Sequence, residues 1–522
     1  MAETDAQVPD TGGVNPWLIA ASVMLATFME VLDTAIASVA LPYIAGSLSA
    51  TTDEATWVLT SYLVSNAVIL PASNWFALRF GRKRFLITCV IIFTISSFFV
   101  GAAPTLAFIL IARVIQGAGG GALQPLSQSI LMESFPPAKR GAAMAVFAFG
   151  VVVAPVIGPT LGGWLTDTYS WRYAFYINIP VGILAVIMIS RFVHDPHYVR
   201  NAKPGKFDSI GFGLLALWTG TLQIMLDKGQ EADWFGADWM RWLFVIFTIA
   251  IIWFVIHSWR KDKPLVDLKT LKDWNFAIGC ALIFAFGICI YSMITVLPLY
   301  FQELMGYTAF TAGLVVFPRG IGSILGMPVI GFIGNKIDAR ILLTFGFLVF
   351  TITSFIFGDS TLQIGPTTLL WPIVITGFAL SFVFVPITTE AYGTLRNEQM
   401  GAASGIFNLM RNVGGSIGIS LTQTLLVRRA AYHQNDMTNY LPMGQVWLEQ
   451  RLHGLTGYLS EQTNSANASA AAQGKVYGLL QQQSLLWAFV DVFRWTALLS
   501  AACIILVWLF KKVHGKAPVG VH

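Results

Sequence analysis

The chain has 522 residues, 55% hydrophobic and 11% charged, with a mean hydropathy of +0.66 and a formal net charge of +5. Soluble domains carry about 25% charged residues. The composition therefore excludes an ordinary soluble globular protein and points to a chain that a bilayer solvates. Residues 1–16 carry Glu3, Asp5 and Asp10 but no Lys or Arg, the wrong sign for a cleavable signal, and read as a cytoplasmic N-terminal tail. Apolar runs of spanning length then follow at 17–40, 56–77, 85–103, 106–132, 142–166, 173–192, 209–226, 242–259, 276–300, 311–333, 341–357, 369–389, 401–427 and 485–510. These fourteen runs predict an all-α polytopic membrane protein.

An even number of spans leaves both termini on one side. The loops on that side hold three times as many Lys and Arg residues as the loops opposite, Arg79, Arg82, Lys83 and Arg84 after the second span among them. That bias places both termini in the cytoplasm. The basic segment 193–208, with Pro196, Pro204 and Gly205, reads as a cytoplasmic linker. The polar segment 428–484 reads as a periplasmic loop, helical in parts such as 443–453 and 470–483, and serves either as a connector or as a docking surface.

The chain also repeats itself at an offset of about 256 residues. Leu41-Pro42 ends span 1 and Leu297-Pro298 ends span 9; the loop after span 2 (74–84) corresponds to the loop after span 10 (331–340). Gly158, Gly162 and Gly163 in span 5 correspond to Gly414, Gly415 and Gly418 in span 13. The predicted organisation is a six-helix bundle at 17–192, a linker with two extra spans at 193–275, a second six-helix bundle at 276–510, and a cytoplasmic C-terminus at 511–522. Two parallel halves of this kind hold substrate between them near the midplane in major facilitator transporters.

An ionisable side chain inside a span costs about 2.5–3.5 kcal/mol on insertion scales, so each one needs a reason. Glu30 and Asp33 lie three apart in span 1, on one helix face. Two carboxylates in one low-dielectric cavity resist ionising together, which suits a group that loads and releases protons. The alternative is a structural ion pair. Arg113 in span 4 is the counter-charge for Asp33 or Glu30; Gln116 shares its face, and Asn66 in span 2 adds a polar group. Asn408, Arg411 and Asn412 mark the start of span 13. Asp491 and Arg494 are spaced to neutralise each other in span 14, and Arg319 in span 10 has no partner in the sequence. Pro155 and Pro159 with Gly158, Gly162 and Gly163 give span 5 the character of a hinge. Phe284 and Tyr291 in span 9 and Phe384 in span 12 offer an adaptable apolar wall to a substrate cavity shared with Gln116, Asn66 and Asn408.

Neither a His pair nor a nucleophile elbow occurs in the spans, and a phosphate-binding loop is missing too, so an enzyme or an ATP-driven pump is not expected. Cys89, Cys280, Cys289 and Cys503 lie in apolar runs without metal-ligand spacing, so neither a metal nor another cofactor is implied. The driving force expected is the proton gradient.

Leu32-Asp33-Thr34-Ala35-Ile36 with Leu41-Pro42, Arg113-Val114-Ile115-Gln116-Gly117, Gly158-Pro159 with Gly162-Gly163, and Trp171-Arg172 before Asn178-Ile179-Pro180 together resemble the fourteen-span drug:proton antiporters of the major facilitator superfamily. The stretch Leu222 to Gly229 with Asp233-Trp234-Phe235 is similar to the EmrB-type multidrug exporters in particular. The resemblance implies that Asp33 is a proton-coupling acid and that the glycine-proline span accompanies outward drug export. It also implies an inner-membrane protein served by a periplasmic adaptor and an outer-membrane channel, with hydrophobic drugs, protons and lipid, but no nucleic acid, as partners. A dedicated exporter of one natural product, such as a siderophore or fatty acid, is the alternative. Arg79, Gly81, Arg82 and Lys83 match the cytoplasmic gate loop, whereas Asn74 and Leu78 replace its usual Gly and Asp.

Overall fold

The computed structural model describes residues 14–136, 139–195, 205–334, 336–440, 446–463 and 467–511. Most of the expected N-terminal tail (1–13), the linker residues 196–204 with Pro196 and Pro204, Asn335 of the repeated loop, and residues 512–522 of the C-terminal tail lie outside the described residues.

Sequence signals account for the helix starts. Asn15 accepts the Trp17 N–H at 3.0 Å and Pro16 takes the first turn of α1 (Pro16–Ser47). Thr51 and Glu54 form a capping box at the start of α2 (Thr52–Phe80). Gly81, with φ of 86°, breaks the chain before α3 (Arg82–Ala102), a conformation open to glycine. Next come α4 (Leu106–Gly120) and α5 (Leu123–Ser134), which form one span, then α6 (Arg140–Thr168), the short α7 (Tyr173–Tyr176) and α8 (Asn178–Phe192). The middle pair is α9 (Ser209–Lys228) and α10 (Asp238–Arg260). After it lie α11 (Trp274–Leu299), α12 (Ala309–Val316), α13 (Pro318–Ile333), α14 (Ala339–Phe357), α15 (Pro366–Gly393), α16 (Asn397–Thr438), α17 (Val446–Thr463) and α18 (Ala468–Val507). Among the described residues there is no strand.

Among the described residues, thirteen helical stretches are long and apolar enough to cross a membrane. The expected span 401–427 is the middle of α16, whose 42 residues include Asn408, Arg411 and Asn412 and keep it out of that apolar class. Its polar groups face protein: Asn408 and Arg411 are buried. At 1.5 Å per residue α16 is about 63 Å long, beyond the 40–45 Å of a whole bilayer. Likewise α18, with 40 residues, extends past it, and α17 packs on α18. The segment expected as a loop with helical parts is therefore mostly helix; residues 441–445 and 464–466 lie outside the described residues.

The glycine repeat has a structural counterpart. A side chain at Gly158 would collide with Ala35 of α1 and one at Gly162 would press tightly on Ile36, while one at Gly414 or Gly418 would collide with Phe284 or Ile288 of α11. The same helix-on-helix contact thus recurs in both halves, α1 on α6 and α11 on α16. The halves meet along α2 and α5 against α16, and along α6 against α12, α13 and α15. Helix α9 lies against both α2 and α16, while α10 packs mainly on α9 and turns Ile249, Ile252 and Trp253 outward.

Candidate functional site

The site starts from α1, which brings both acids to the inner face of the first half. Asp33, 1% exposed, accepts hydrogen bonds from Arg113 Nη1 at 2.6 Å, Gln116 Nε2 at 3.0 Å and Asn178 Nδ2 at 2.7 Å. The ion pair with Arg113 is wholly buried. Arg113 also donates from Nε to the Val58 carbonyl at 3.0 Å and from Nη1 to Gln116 Oε1 at 3.0 Å. Its guanidinium stacks 4.2 Å above the Tyr62 ring. Asn178 is held in turn by Ser97 at 2.9 Å. Close approach of α4 to α2 permits this, because any side chain at Gly117 would strike the Tyr62 carbonyl.

Glu30 shares the face with Asp33 but occupies a separate network. It accepts from Tyr62 Oη at 3.2 Å, Asn66 Nδ2 at 3.1 Å and Gln124 Nε2 at 2.5 Å. Gln124 accepts a short hydrogen bond from Arg411 through its own oxygen, so Glu30, Gln124 and Arg411 form a chain from one half to the other. The Tyr62 side chain joins the two networks, donating to Glu30 while its ring carries Arg113. Of the two carboxylates open to Arg113 in the sequence, the structure selects Asp33. Arg411 takes up the charge of Glu30 through an amide.

Two further contacts seal this interface. Asn408 Nδ2 donates to Gln128 Oε1 at 2.6 Å, and Ser404 Oγ to the Pro125 carbonyl at 3.1 Å. After α2, where the sequence resembles a gate loop, Arg82 pairs with Glu133 at 2.6 Å, both nearly buried. The Lys83 N–H donates to Asp195 at 2.8 Å, and a side chain at Gly81 would meet the same carboxylate. Asn74 lies against Gly401 at the start of α16. The acid missing at Leu78 is thus matched by Glu133 and Asp195 from other elements. Arg79 is exposed at the end of α2.

The remaining expected residues fall into different places. Asn66 and Gln116 belong to the carboxylate networks. Phe284 and Tyr291 are half-buried, their span pressed against Gly414 and Gly415 of α16. Phe384 is buried, stacked at 6.3 Å on Phe147 of the other half and 6.0 Å from Arg411. A small cavity of about 30 Å³ lies between the halves, lined by Pro155, Pro159, Ile294, Pro298, Gly313, Val316 and Arg319. Pro155 and Pro159 therefore face the interface, while Gly158 and Gly162 face α1, and Gly163 lies near Phe310. Asp491 and Arg494 do not neutralise each other, as their spacing predicts. Asp491 binds Arg429 at 2.6 Å and His433 at 2.8 Å of α16, and Arg494 reaches Asp359 at 3.3 Å. Helices α16 and α18 lie side by side there, and across-helix partners prevail over the local pair.

Sequence reasoning missed Gln124, Gln128, Tyr62, Ser97, Glu133 and Asp195. The two glutamines carried a usable signal: polar residues four apart inside an apolar span, just beyond Gly119, Gly120 and Gly121.

The Major Facilitator Superfamily model matches residues 23–419. The multidrug export protein EmrB of Escherichia coli K12 is 36% identical over 97% of this chain and 98% of its own. The fatty acid resistance protein FarB of Neisseria gonorrhoeae is also 36% identical, over 96% and 97%. A solved double-Trp XylE mutant shares the fold at a TM-score of 0.59, with 16% identity over 95% of this chain and 99% of that one. The chain belongs to the major facilitator superfamily and, within it, to the EmrB-type transporters, and is a multi-pass membrane protein.

Proposed function

We propose that this superfamily member exports hydrophobic drugs across the bacterial inner membrane in exchange for protons. The observation that carries the reading is the wholly buried Asp33–Arg113 pair, which spends an acid and a base where neither is free of cost. Proton binding at Asp33 removes the charge that holds Arg113, Gln116 and Asn178 around it. That change favours a conformation in which Arg113 is otherwise compensated, and so couples a proton to movement of the halves. Glu30 adds a second acid whose chain of bonds ends on Arg411 of the other half. Positive charge biased to one set of loops supports a cytoplasmic location for both termini. The chain works as two six-helix bundles, 17–192 and 276–510, that alternate access around their interface, with the two extra helices of 193–275 added beside them.

The printed name of the E. coli relative supports multidrug export. The helical extension formed by α16, α17 and α18 is the part of the chain that suits contact with a periplasmic adaptor, which an outer-membrane channel would complete as a tripartite pump. The gonococcal relative supports a narrower reading, export of one class of natural product such as fatty acids. Purified protein in liposomes containing a pH-sensitive dye tests both: a panel of hydrophobic drugs should each drive proton movement. Movement with a single compound class favours the narrower reading, and no movement with any compound refutes proton-coupled export.

A further inference from the structure

The exporter reading leaves Arg319 unused. It sits in the first turn of α13, is 1% exposed, and among the described residues no acceptor takes a hydrogen bond from its Nε, Nη1 or Nη2. Every other buried arginine has a counterpart: Arg113 has Asp33, Arg82 has Glu133, and Arg411 has Gln124. The backbone around Arg319 is fixed. Ser323 Oγ donates to the Gly377 carbonyl at 2.9 Å, Ser381 Oγ to the Ser323 carbonyl at 3.1 Å, and a side chain at Gly377 would strike the Arg319 carbonyl. Thus α13 and α15 are locked together, with Arg319 in the wall of the interface cavity.

That cavity has the makings of a receptor for one charged group. Its other lining residues, Pro155 and Pro159 from the first half and Ile294, Pro298, Gly313 and Val316 from the second, are apolar or small and bring no competing acid. Its 30 Å³ is about twice what one water requires, enough for an acid head and not for a whole organic molecule. It lies where the halves close, Gly313 against Thr160 and Phe310 against Gly163, so separating the halves there enlarges it. A planar guanidinium with every donor free is built to grip an oxyacid through paired hydrogen bonds.

We propose that Arg319 is the receptor for the acid group of an amphipathic organic anion, whose apolar remainder lies along the seam between α6 and α11 to α13. This rests on the exporter reading and adds to it the residue that receives an acid substrate, a class to which the fatty acids of the narrower reading belong. In liposomes, wild-type protein should export both 1-naphthalenesulfonate, a permanent anion, and the cation ethidium. Arg319→Gln and Arg319→Met should lower naphthalenesulfonate export at least tenfold and leave ethidium export within twofold, and Arg319→Lys should retain part of the anion export. Equal loss of both substrates in all three variants would make Arg319 a structural residue and overturn the proposal. Unchanged naphthalenesulfonate export would do the same. If replacing chloride by gluconate slows wild-type ethidium export but not that of Arg319→Gln, the occupant is an inorganic anion and the organic-anion assignment fails. Ethidium export without naphthalenesulfonate export in the wild type defeats this inference alone; export of neither defeats the exporter reading beneath it.

Discussion

Asp33→Asn isolates the charge of the central carboxylate while keeping its shape. The amide can still accept from Arg113, Gln116 or Asn178, but Arg113 is left fully buried without a counter-ion, with Nη2 already unpaired. Removing one member of a buried pair costs about 3–5 kcal/mol. The hydrogen bonds that asparagine retains, together with the Tyr62 ring 4.2 Å from the guanidinium, place this case at the lower end, near 3 kcal/mol. Arg113→Gln alone leaves the carboxylate buried and should cost a similar amount. The double variant removes both charges and should be more stable than the two losses added together, by about 1–3 kcal/mol. Melting of purified protein in detergent gives these differences. Drug-driven proton movement in liposomes should vanish in Asp33→Asn and in the double variant, because a neutral side chain at position 33 cannot exchange a proton; in Arg113→Gln it should fall because the carboxylate has lost its partner. Stable Asp33→Asn protein that still moves protons with drug, with the pH dependence of the wild type, would refute the assignment of Asp33. Additive losses in the double variant would refute the claim that the pair acts as a unit.

Glu30→Gln should keep the bonds from Tyr62 and Asn66 but remove the charge that the Gln124–Arg411 chain serves, weakening the closed interface; cross-linking of cysteines placed on α5 and α16 should fall in this variant relative to wild type. Glu133→Gln breaks the buried pair with Arg82 and should raise thiol-reagent labelling of a cysteine placed on the end of α5 beside Glu133, with unchanged labelling ruling out the proposed gating role. Gly158→Val forces a side chain into Ala35 and should cost about 1–3 kcal/mol by overpacking, whereas Gly454→Ala, with open space around it, should melt like wild type. Asp208, just ahead of α9, is pushed up by burial but pulled further down by Lys261, the Gly211 N–H, His257 and the Leu265 N–H, to a pKa of about 2. The unfolded chain, with an ordinary carboxylate near pKa 3.9, binds more protons between pH 4 and 2, so this contribution is complete above pH 4 and lost as pH falls toward 2. Melting temperatures recorded down that range should drop in wild type with a slope that Asp208→Asn lacks.

Much of the fold was legible because a bilayer imposes length and hydropathy on each span separately. Fourteen runs emerged from that rule, and thirteen returned as apolar spanning helices. The exception, α16, shows its limit: Asn408 and Arg411 are hidden by partners on α5, a tertiary fact that no window of residues contains. The carboxylate site was legible in type and face, since Glu30, Asp33, Arg113 and Gln116 are ionisable or polar where lipid tolerates neither. Their partition was not, because it depends on Tyr62 and Gln124 arriving from other helices. The gate loop was harder still: the acids that serve Arg82 and Lys83 lie 51 and 112 residues away along the chain. Asp491 and Arg494 mark the opposite error, a local spacing that looked sufficient and lost to nearer groups across the helix interface.

Helix α9 touches both α2 and α16, with Gln223 bonded to Ser416 at 2.9 Å and Trp234, in the turn beyond α9, to Thr424 at 3.3 Å. A two-bundle transporter has two lengthwise seams, and among the described residues this one has a wedge in the first and none in the second, where α6 meets α12 and α13. The machine is therefore lopsided. On the alternating-access reading proposed above, a guest dissolved in the lipid would have one flank from which to board, the one beside Pro155, Pro159 and Arg319, and the halves would pivot along the flank that is stitched.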